Sequence, residues 1–446
     1  MKKGVVIDSL SIPSKEGSNY SIYLPKSFDL SKTWPILFGF DSTGNANAIT
    51  TLFSKAAEEL NYVVVVADFP EKSNINDKSD YVPLIMEHIF SLLPIHNRRI
   101  YVTGIGEDAT LNSLLPIIYK EFNGVIAINN TYYYNESVKV RKDFSYIGVV
   151  HDKNFRYQYF LNTKKYLKRK SVPTDIYVYD KNEALPLQSL MKKALLSFTL
   201  QDMLKGKILT DSTWVKQAYE KDLREVELLE KKKAYLHAYD ELTRIRNKYH
   251  LFFETDFLKE EQKRIKKLSV YKKEKRLRSK YHNREGFLRE TLFLSLEEDV
   301  EFSQYENLGW WQYRMNELDT LIVSNEKYAT NMAFRIKGYL KNLIKEYKKE
   351  DKTKEEQVLD QKIFLNVLST IVDKEDFESY RNVISFSAMD QDYETALFYL
   401  EKMLQHGFKD IEQLYVIEGT LALKLSKEYN ELIKKYLGTS KYHSFE

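Results

Sequence analysis

The stretch Tyr101-Val-Thr-Gly104-Ile-Gly106-Glu-Asp108-Ala109 decides the fold of this chain. The residues before its first glycine, 99–103, are rich in β-branched and aromatic side chains, which favours a strand. Gly104 and Gly106 then allow a sharp turn, because glycine adopts backbone angles that other residues avoid. Residues 108–120 have the apolar spacing of a helix. The stretch therefore predicts a buried strand that turns abruptly into a helix.

Residues 1–200 continue this alternation on both sides of the turn. Residues 34–40 and 62–68, the latter with four consecutive valines, are continuously apolar, as expected of central parallel strands covered on both faces. Segments with helical periodicity separate these runs. Strands and helices that alternate at this spacing predict an α/β fold with a doubly wound, mostly parallel sheet.

Beyond about residue 201 the sequence changes character, with no strand pattern and a higher density of charge. Residues 214–250 predict one long helix, and residues 259–284 predict a strongly basic one. We therefore predict that an all-α helical region follows the sheet. The expected domains are the sheet domain at 1–203, a helical domain with the basic helix at 204–352, and a helical C-terminal domain at 353–446.

The C-terminal domain has one recognisable pattern. Residues 393–407 resemble the second helix of a tetratricopeptide-type unit, with the small Ala396 followed four residues later by Leu400. Residues 411–424 and 427–437 would pack behind this helix. A single unit is evident in the sequence, whereas repeat arrays need about three. We expect a tetratricopeptide-like domain but no full array.

Composition excludes several classes of function. The 446 residues carry a formal net charge of +4, so the chain as a whole lacks the charge of a nucleic-acid binder. The absence of cysteine excludes disulfides, thiolate metal sites and cysteine nucleophiles. The sequence contains no run of about 18 apolar residues, so no transmembrane helix is predicted. The apolar patch after Lys3 is too short for a signal peptide, so we expect a cytoplasmic protein or a mature form without its leader.

Three further segments accompany the glycine turn. The loop Asp41-Ser42-Thr43-Gly44 follows one apolar strand, Asp152 follows the strand at 145–151, and Asp180-Lys-Asn182-Glu183-Ala-Leu-Pro186 precedes the last helix of the region. These segments resemble the oxyanion loop, the acid-bearing strand end and the histidine turn of the α/β-hydrolases, and the glycine turn resembles their G-x-S-x-G nucleophile elbow. Residues 1–200 thus resemble the α/β-hydrolase fold, in its esterase and prolyl-oligopeptidase-like branch.

Carried over position by position, the resemblance implies a degraded catalytic triad. Gly106 stands at the nucleophile position and Asp152 at the acid position. Glu183 stands at the histidine position, or Asn182 if the turn shifts by one residue. A triad needs a nucleophile, a base that activates it and an acid that orients the base. Only Asp152 keeps a competent side chain, so no catalytic residue is expected from the usual set.

Other candidate sites at the same end of the sheet have weaker support from the sequence. Ser42 and His151 could form a rewired catalytic pair, and Asp41 and Asp108 could flank a cation, although solvated loop carboxylates are commoner. The glycine turn lacks the third glycine of a dinucleotide site, and the histidines do not fall at metal-ligand spacings. We therefore predict no cofactor and no metal.

The basic helix is the strongest charge feature of the sequence. Its Lys and Arg side chains could form a solvated face whose stems cover a neighbour, or could bind an acidic protein, anionic lipid headgroups or RNA. Exposed aromatic residues are few in this helix, which disfavours stacking on single-stranded bases. The candidate partner-binding residues are Lys263, Arg264, Lys266, Lys267, Lys272 and Lys273.

The sequence therefore predicts a pseudoenzyme: a hydrolase-like domain without a working triad that acts as a protein-binding or scaffold subunit through its helical regions. The resemblance to envelope proteins of Bacteroidota-like bacteria implies the periplasm or cell envelope, with the cytoplasm as alternative. One alternative function is an esterase or other hydrolase with a non-standard active site. A second is nucleic-acid binding through the basic helix. The sequence does not indicate the oligomeric state.

Overall fold

The structure, a computed structural model, describes residues 2–12, 19–70, 75–180, 187–351 and 359–442. The chain divides into two compact units, Met1–Leu277 and Arg278–Glu446. The predicted boundaries at 203/204 and 352/353 do not coincide with this division, and the three-domain arrangement stays a prediction.

The first unit is built on one eight-stranded sheet, in the order β1-β2-β4-β3-β5-β6-β7-β8. β1 pairs antiparallel with β2, and β2 pairs antiparallel with β4, whereas the strands from β4 to β8 are parallel neighbours. The strands are β1 (Val6–Ser11), β2 (Asn19–Tyr23), β3 (Trp34–Asp41), β4 (Val63–Asp68), β5 (Ile95–Ile105), β6 (Phe122–Ile128), β7 (Ser145–His151) and β8 (Thr174–Tyr179).

Helices cover both faces of this sheet. The first five are α1 (Ala46–Leu60), α2 (Ile75–Leu92), α3 (Asp108–Ile118), α4 (Tyr157–Arg169) and α5 (Gln188–Leu204). α1 and α5 contribute to the hydrophobic core on one face, and α2, α3 and α4 contribute to the core on the other. The four valines of β4 are fully buried because side chains pack on both of its sides. The prediction of a doubly wound, mostly parallel sheet followed by an all-helical region is confirmed.

The predicted long helix at 214–250 is wrong, because the chain forms two helices there, α6 (Ser212–Lys231) and α7 (Tyr235–Tyr249). Lys233 between them takes a left-handed conformation with φ of 57°. The break lets α7 cover β8, the edge strand of the sheet. Arg244 of α7 forms an ion pair of 2.8 Å with Asp175 and donates a hydrogen bond of 3.1 Å to the carbonyl of Ile176. Covering an edge strand in this way satisfies polar groups that would otherwise invite pairing with another chain.

The prediction of a single basic helix at 259–284 is also wrong. It consists of α8 (Asp256–Lys267) and the beginning of α9 (Ser269–Phe302). Leu268 between them has an extended backbone with ψ of 135°, which interrupts the helical hydrogen bonding. The division between the two units falls within α9.

The described part of the second unit is helical. Its elements after α9 are a short 3-10 helix (Tyr305–Asn307), α10 (Leu308–Ile322), α11 (Lys327–Asp351), α12 (Leu359–Val372), α13 (Phe377–Met389), α14 (Tyr393–Gln405), α15 (Ile411–Tyr415), α16 (Leu421–Lys424) and α17 (Lys427–Leu437). Trp311 of α10 is fully buried and donates to Asp299, in line with a helix-packing role for the pair Trp310-Trp311. Among the described residues, no helix is long and apolar enough to cross a membrane.

The helices of the second unit begin at regular intervals. α14 and α17 begin at residues 393 and 427, so their starts are 34 residues apart. α13 and α15 begin at 377 and 411, which is the same interval. The residues that cap these helices with their side chains recur with the same spacing. Asp376 and Asp410 cap α13 and α15, and Asp392 and Ser426 cap α14 and α17. The helix at 393–407 that the sequence predicts is thus followed by a helix that begins after the same interval.

Candidate functional site

The carboxyl ends of the parallel strands meet at one edge of the sheet, where open α/β sheets hold their ligands. Asp41 ends β3, Asp68 ends β4, Gly106 follows β5 and His151 ends β7. The amide of Gly106 donates to the carbonyl of Ile128 at 3.0 Å, which extends the ladder one residue beyond β5. The sequence-predicted residues Ser42, Gly106, His151 and Asp152 therefore all lie along this edge.

The predicted strand–turn–helix is present at the centre of this edge. Gly106 has φ of +58°, the left-handed conformation that favours glycine, and α3 begins two residues later. A Cβ atom added at Gly106 would meet nothing within 4 Å. At Gly104 a Cβ atom would lie 2.8 Å from the Cα of Ala109, because α3 approaches the strand closely there. Each glycine is therefore needed for a different reason, one for its backbone angle and the other for space.

Asp108, the first residue of α3, is buried and joins two other elements. Its Oδ2 accepts the backbone N–H of Ser42 at 2.7 Å, and its Oδ1 accepts the Ser42 hydroxyl. Lys78, in the first part of α2, forms an ion pair with Asp108 at 3.2 Å and also donates to the Ser42 hydroxyl oxygen. The three side chains form a closed cluster, which we call the Asp108 cluster. Its lysine also lies 5.0 Å from the centre of the Phe69 ring.

The Asp108 cluster places a buried carboxylate on a backbone N–H of the loop after β3, that of Ser42. A carboxylate at this place would repel negative charge on a ligand bound there. The sequence singled out Ser42 and Asp108 separately but missed Lys78, for which no local pattern exists.

The neighbouring carboxylates hold the loop after β3. Asp41 is buried and accepts the backbone N–H groups of Thr43 at 2.9 Å and Asn45 at 2.8 Å, so it organises the turn into α1. Asp68 lies beside it in register on β4. Burial raises the pKa of Asp68, and the Asp41 carboxylate raises that pKa further. Within the described residues no group of three or more His, Asp or Glu side chains could hold a metal ion.

His151 and Asp152 are adjacent but do not have the geometry of a triad. The Nδ1 atom of His151 accepts the backbone N–H of Lys153 at 3.1 Å and lies 3.6 Å from the Asp152 Oδ1. In a triad that nitrogen donates to the acid instead. The His151 ring packs edge-on against Tyr179, with centroids 5.0 Å apart. The pair thus sits in a local arrangement fixed by its own loop and by β8.

Ser42 follows β3 and His151 ends β7, and β5 and β6 lie between these two strands. Three strand-to-strand steps correspond to about 14 Å between the axes of β3 and β7. The rewired pair stays a prediction, as does the position of the degraded histidine. Glu183 and Asn182 lie outside the described residues.

The six basic candidates are all exposed, but they differ in their partners. Lys263 pairs with Glu260 at 2.7 Å. Hydrogen bonds to Glu230 and Glu261 raise the pKa of Arg264. Lys266 lies 5.3 Å from the centre of the Tyr239 ring. For the remaining three, Lys267, Lys272 and Lys273, no ion pair is formed with any described residue.

No protein-family model matches the chain, and no curated protein is similar to it. Among solved structures, the chain is similar to a mutant feruloyl esterase module from Clostridium thermocellum, with 10% identity, a TM-score of 0.36, and coverage of 43% of this chain and 85% of that one. It is also similar to an esterase from Pyrobaculum calidifontis, with 11% identity, a TM-score of 0.35, and coverage of 44% and 85%. For Est1E from Butyrivibrio proteoclasticus the identity is 11%, the TM-score 0.34, and the coverage 44% and 98%.

Proposed function

We propose that this protein is a non-catalytic pseudo-hydrolase that acts as a protein-binding or scaffold subunit. The observation that carries the proposal is the Asp108 cluster, in which a buried carboxylate holds the amide and hydroxyl of Ser42 beside a turn without a nucleophile. Gly106 has no side chain to attack a substrate, although the space above it is open. The turn keeps the shape of a nucleophile elbow, and its neighbours oppose the charge that acyl transfer would create.

The binding half of the proposal is supported by the second unit. The starts of α13 and α15 lie 34 residues apart, as do those of α14 and α17, and this interval is the period of tetratricopeptide repeats. Stacked helix pairs present extended surfaces on which partners bind. An envelope location for such a subunit stays a prediction from the sequence.

We expect no hydrolysis by the purified full-length chain. Short-chain nitrophenyl esters should be hydrolysed no faster than in buffer, and a fluorophosphonate probe, which labels activated serines, should not label the protein. Denatured protein and a working serine esterase are the controls. Labelling that disappears in the Ser42→Ala variant would overturn the non-catalytic proposal.

That contrary outcome would favour a second candidate function, a hydrolase with Ser42 as nucleophile. The specific observation in its favour is the contact between Lys78 and the Ser42 hydroxyl, because a lysine can serve as the base of a serine nucleophile. Against it, Lys78 is engaged in an ion pair with Asp108, in which its nitrogen donates protons and does not accept one. The Lys78→Ala variant should then lose labelling as well. Nucleic-acid binding through the exposed lysines stays a prediction.

We expect the second unit to capture a protein partner. Leu421 and Leu425 are 74% and 62% exposed at the last helix pair, an unusual exposure for leucine. Tagged full-length protein should recover one enriched protein from its native source, and the Leu421→Lys/Leu425→Lys variant should recover at least about tenfold less of it. Leu30→Lys is the matched control, since Leu30 is 70% exposed in the first unit. Equal recovery by all three baits would contradict a binding role for this surface.

A further inference from the structure

The helix α9 has opposite charges in its two halves. Exposed cations occupy its first half and exposed carboxylates its second, and among the described residues none of them forms an ion pair. The cations are Lys272, Lys273, Lys275, Arg276, Lys280 and Arg284, and the carboxylates are Glu290, Glu297, Glu298 and Glu301. This arrangement is unlike that of α8, where Lys259, Lys263 and Arg264 each pair with an acidic residue three positions earlier.

The charge pattern of α9 is unfavourable for an isolated helix. Helix dipoles favour negative side chains at the N-terminus and positive ones at the C-terminus, which is the reverse of what α9 has. Arg276, Lys280 and Arg284 also follow one another at four-residue spacing, where like charges repel. The internal ion pair of α9, between Glu285 and Arg289, is buried, so it does not offset these costs on the exposed face. The exposed charges are therefore expected to meet opposite charges elsewhere.

The charged positions share one face with two exposed apolar side chains. Lys273, Lys280, Phe287, Leu294 and Glu301 are each seven residues apart, and seven residues make nearly two turns, so they form a single stripe along the helix. Phe287 is 68% exposed and Leu294 is 56% exposed. The opposite side of the helix is buried, for example at Leu292 and Leu296. The stripe therefore faces away from the core of the second unit.

We propose that this stripe binds the same stripe of a second copy, with the two α9 helices antiparallel and the two-fold axis at Phe287. In that register a residue n faces residue 574 − n of the partner. Arg284 then faces Glu290, Arg276 faces Glu298 and Lys273 faces Glu301. Phe287 faces its own symmetry mate, and Lys280 faces Leu294, along which its aliphatic stem can lie. All three charge pairs are of opposite sign, and each occurs twice by symmetry.

The centre of the helix suits this contact. Gly286 lies beside Phe287, and a Cβ atom there would meet nothing within 4 Å, so the backbone is accessible. A glycine in the middle of a helix costs about 1 kcal/mol relative to alanine. In the paired form the missing side chain leaves room for the aromatic ring of the partner.

A second copy fits the stripe better than a nucleic acid or a uniformly acidic protein. Either of those would neutralise the cations of the first half of α9. Both would also be repelled by Glu290 and Glu298 and would leave Phe287 exposed. A second copy in the antiparallel register pairs three cations of the first half with three carboxylates of the second and covers Phe287 at once. The charge complementarity of the stripe with itself therefore selects the occupant.

The test is the oligomeric state of the full-length protein, measured by analytical ultracentrifugation. The wild type should be dimeric at tens of micromolar and low salt, and less so at high salt. One variant, Arg276→Glu/Arg284→Glu, has acidic residues at all four of the positions 276, 284, 290 and 298. The other, Glu290→Lys/Glu298→Lys, has basic residues at the same four positions. Each alone should dissociate at least about tenfold more readily than the wild type, since four facing pairs become repulsive.

Mixing the two variants makes the test specific, because an acidic stripe and a basic stripe should form a heterodimer as tight as the wild-type dimer. Lys259→Glu/Lys263→Glu, on α8, is the matched control and should remain dimeric. Circular dichroism checks that each variant is folded. A monomeric wild type would overturn the proposal. It would do so even if the basic half of α9 were found to bind RNA. So would a dimer that both charge variants leave intact.

Discussion

Replacing Glu285 by alanine is expected to lower the free energy of unfolding of the second unit by about 3–5 kcal/mol. The Glu285 side chain is fully buried and lies between two arginines. Its Oε1 accepts from Arg289 at 2.8 Å, and its Oε2 accepts from Arg335 at 2.6 and 2.8 Å. Both arginines are themselves buried. Removing the carboxylate would take from both buried guanidinium groups the negative charge and the hydrogen-bond acceptors that Glu285 supplies.

Denaturant unfolding followed by circular dichroism measures this effect. Glu297→Ala is the matched control, because Glu297 lies on the same helix but is exposed, and its loss should change the stability by less than about 0.5 kcal/mol. A Glu285→Ala variant as stable as the control would show that the cluster does not hold α9 to α11.

A triple variant separates the charge effect from a loss of packing. Glu285→Leu/Arg289→Met/Arg335→Met removes all three charges and keeps apolar volume at each position. Because replacing a whole buried ionic cluster by apolar side chains is often neutral or stabilising, this variant should lose less stability than Glu285→Ala. If the triple variant were the less stable of the two, the contribution of these residues would lie in their hydrogen-bond geometry and not in charge compensation.

The parts of the fold that could be predicted from sequence are those with strong local signals. The valine run of β4 and the glycine turn after β5 each specify their conformation within a few residues, and the sheet follows from their alternation with helices. The helix breaks at Lys233 and Leu268 have no such signal, because neither residue is glycine or proline. Both breaks are imposed by the packing of the helices that they join.

The regular spacing of helix starts in the second unit corresponds to a sequence pattern that can be identified only once the helices are known. Asp376, Asp392 and Asp410 are each followed by an apolar residue and then a glutamate, and each aspartate caps the helix that begins there. Three-residue patterns of this kind are common at helix N-termini, so they do not identify a repeat until the helices themselves are placed.

The Asp108 cluster could not have been predicted, since its three side chains come from positions 42, 78 and 108 and meet only because the strand order brings their elements together. Its meaning nevertheless depends on a sequence-level observation. On its own, a buried carboxylate at the beginning of α3 would be an ordinary helix N-terminal charge. Only together with Gly106 does it support the proposal that this turn has no hydrolase chemistry.

Gly104→Ala is expected to destabilise the first unit by about 3 kcal/mol, the second-largest effect that we predict. The added methyl group would lie 2.8 Å from the Cα of Ala109 and 2.7 Å from the Cβ of Asn112. Neither contact involves the end of a flexible chain, so β5 and α3 would have to separate. Asn112 also donates to the carbonyl of Phe40 on β3 at 2.9 Å, and the displacement of α3 would strain that bond as well.

Gly106→Ala, two residues away in the same turn, provides the matched comparison. Its methyl group would enter open space, so only the left-handed backbone angle opposes it, at about 1–2 kcal/mol. Thermal unfolding of both variants should therefore rank Gly104→Ala well below Gly106→Ala, and both below the wild type. The reverse order would mean that backbone strain outweighs the approach of α3 to β5.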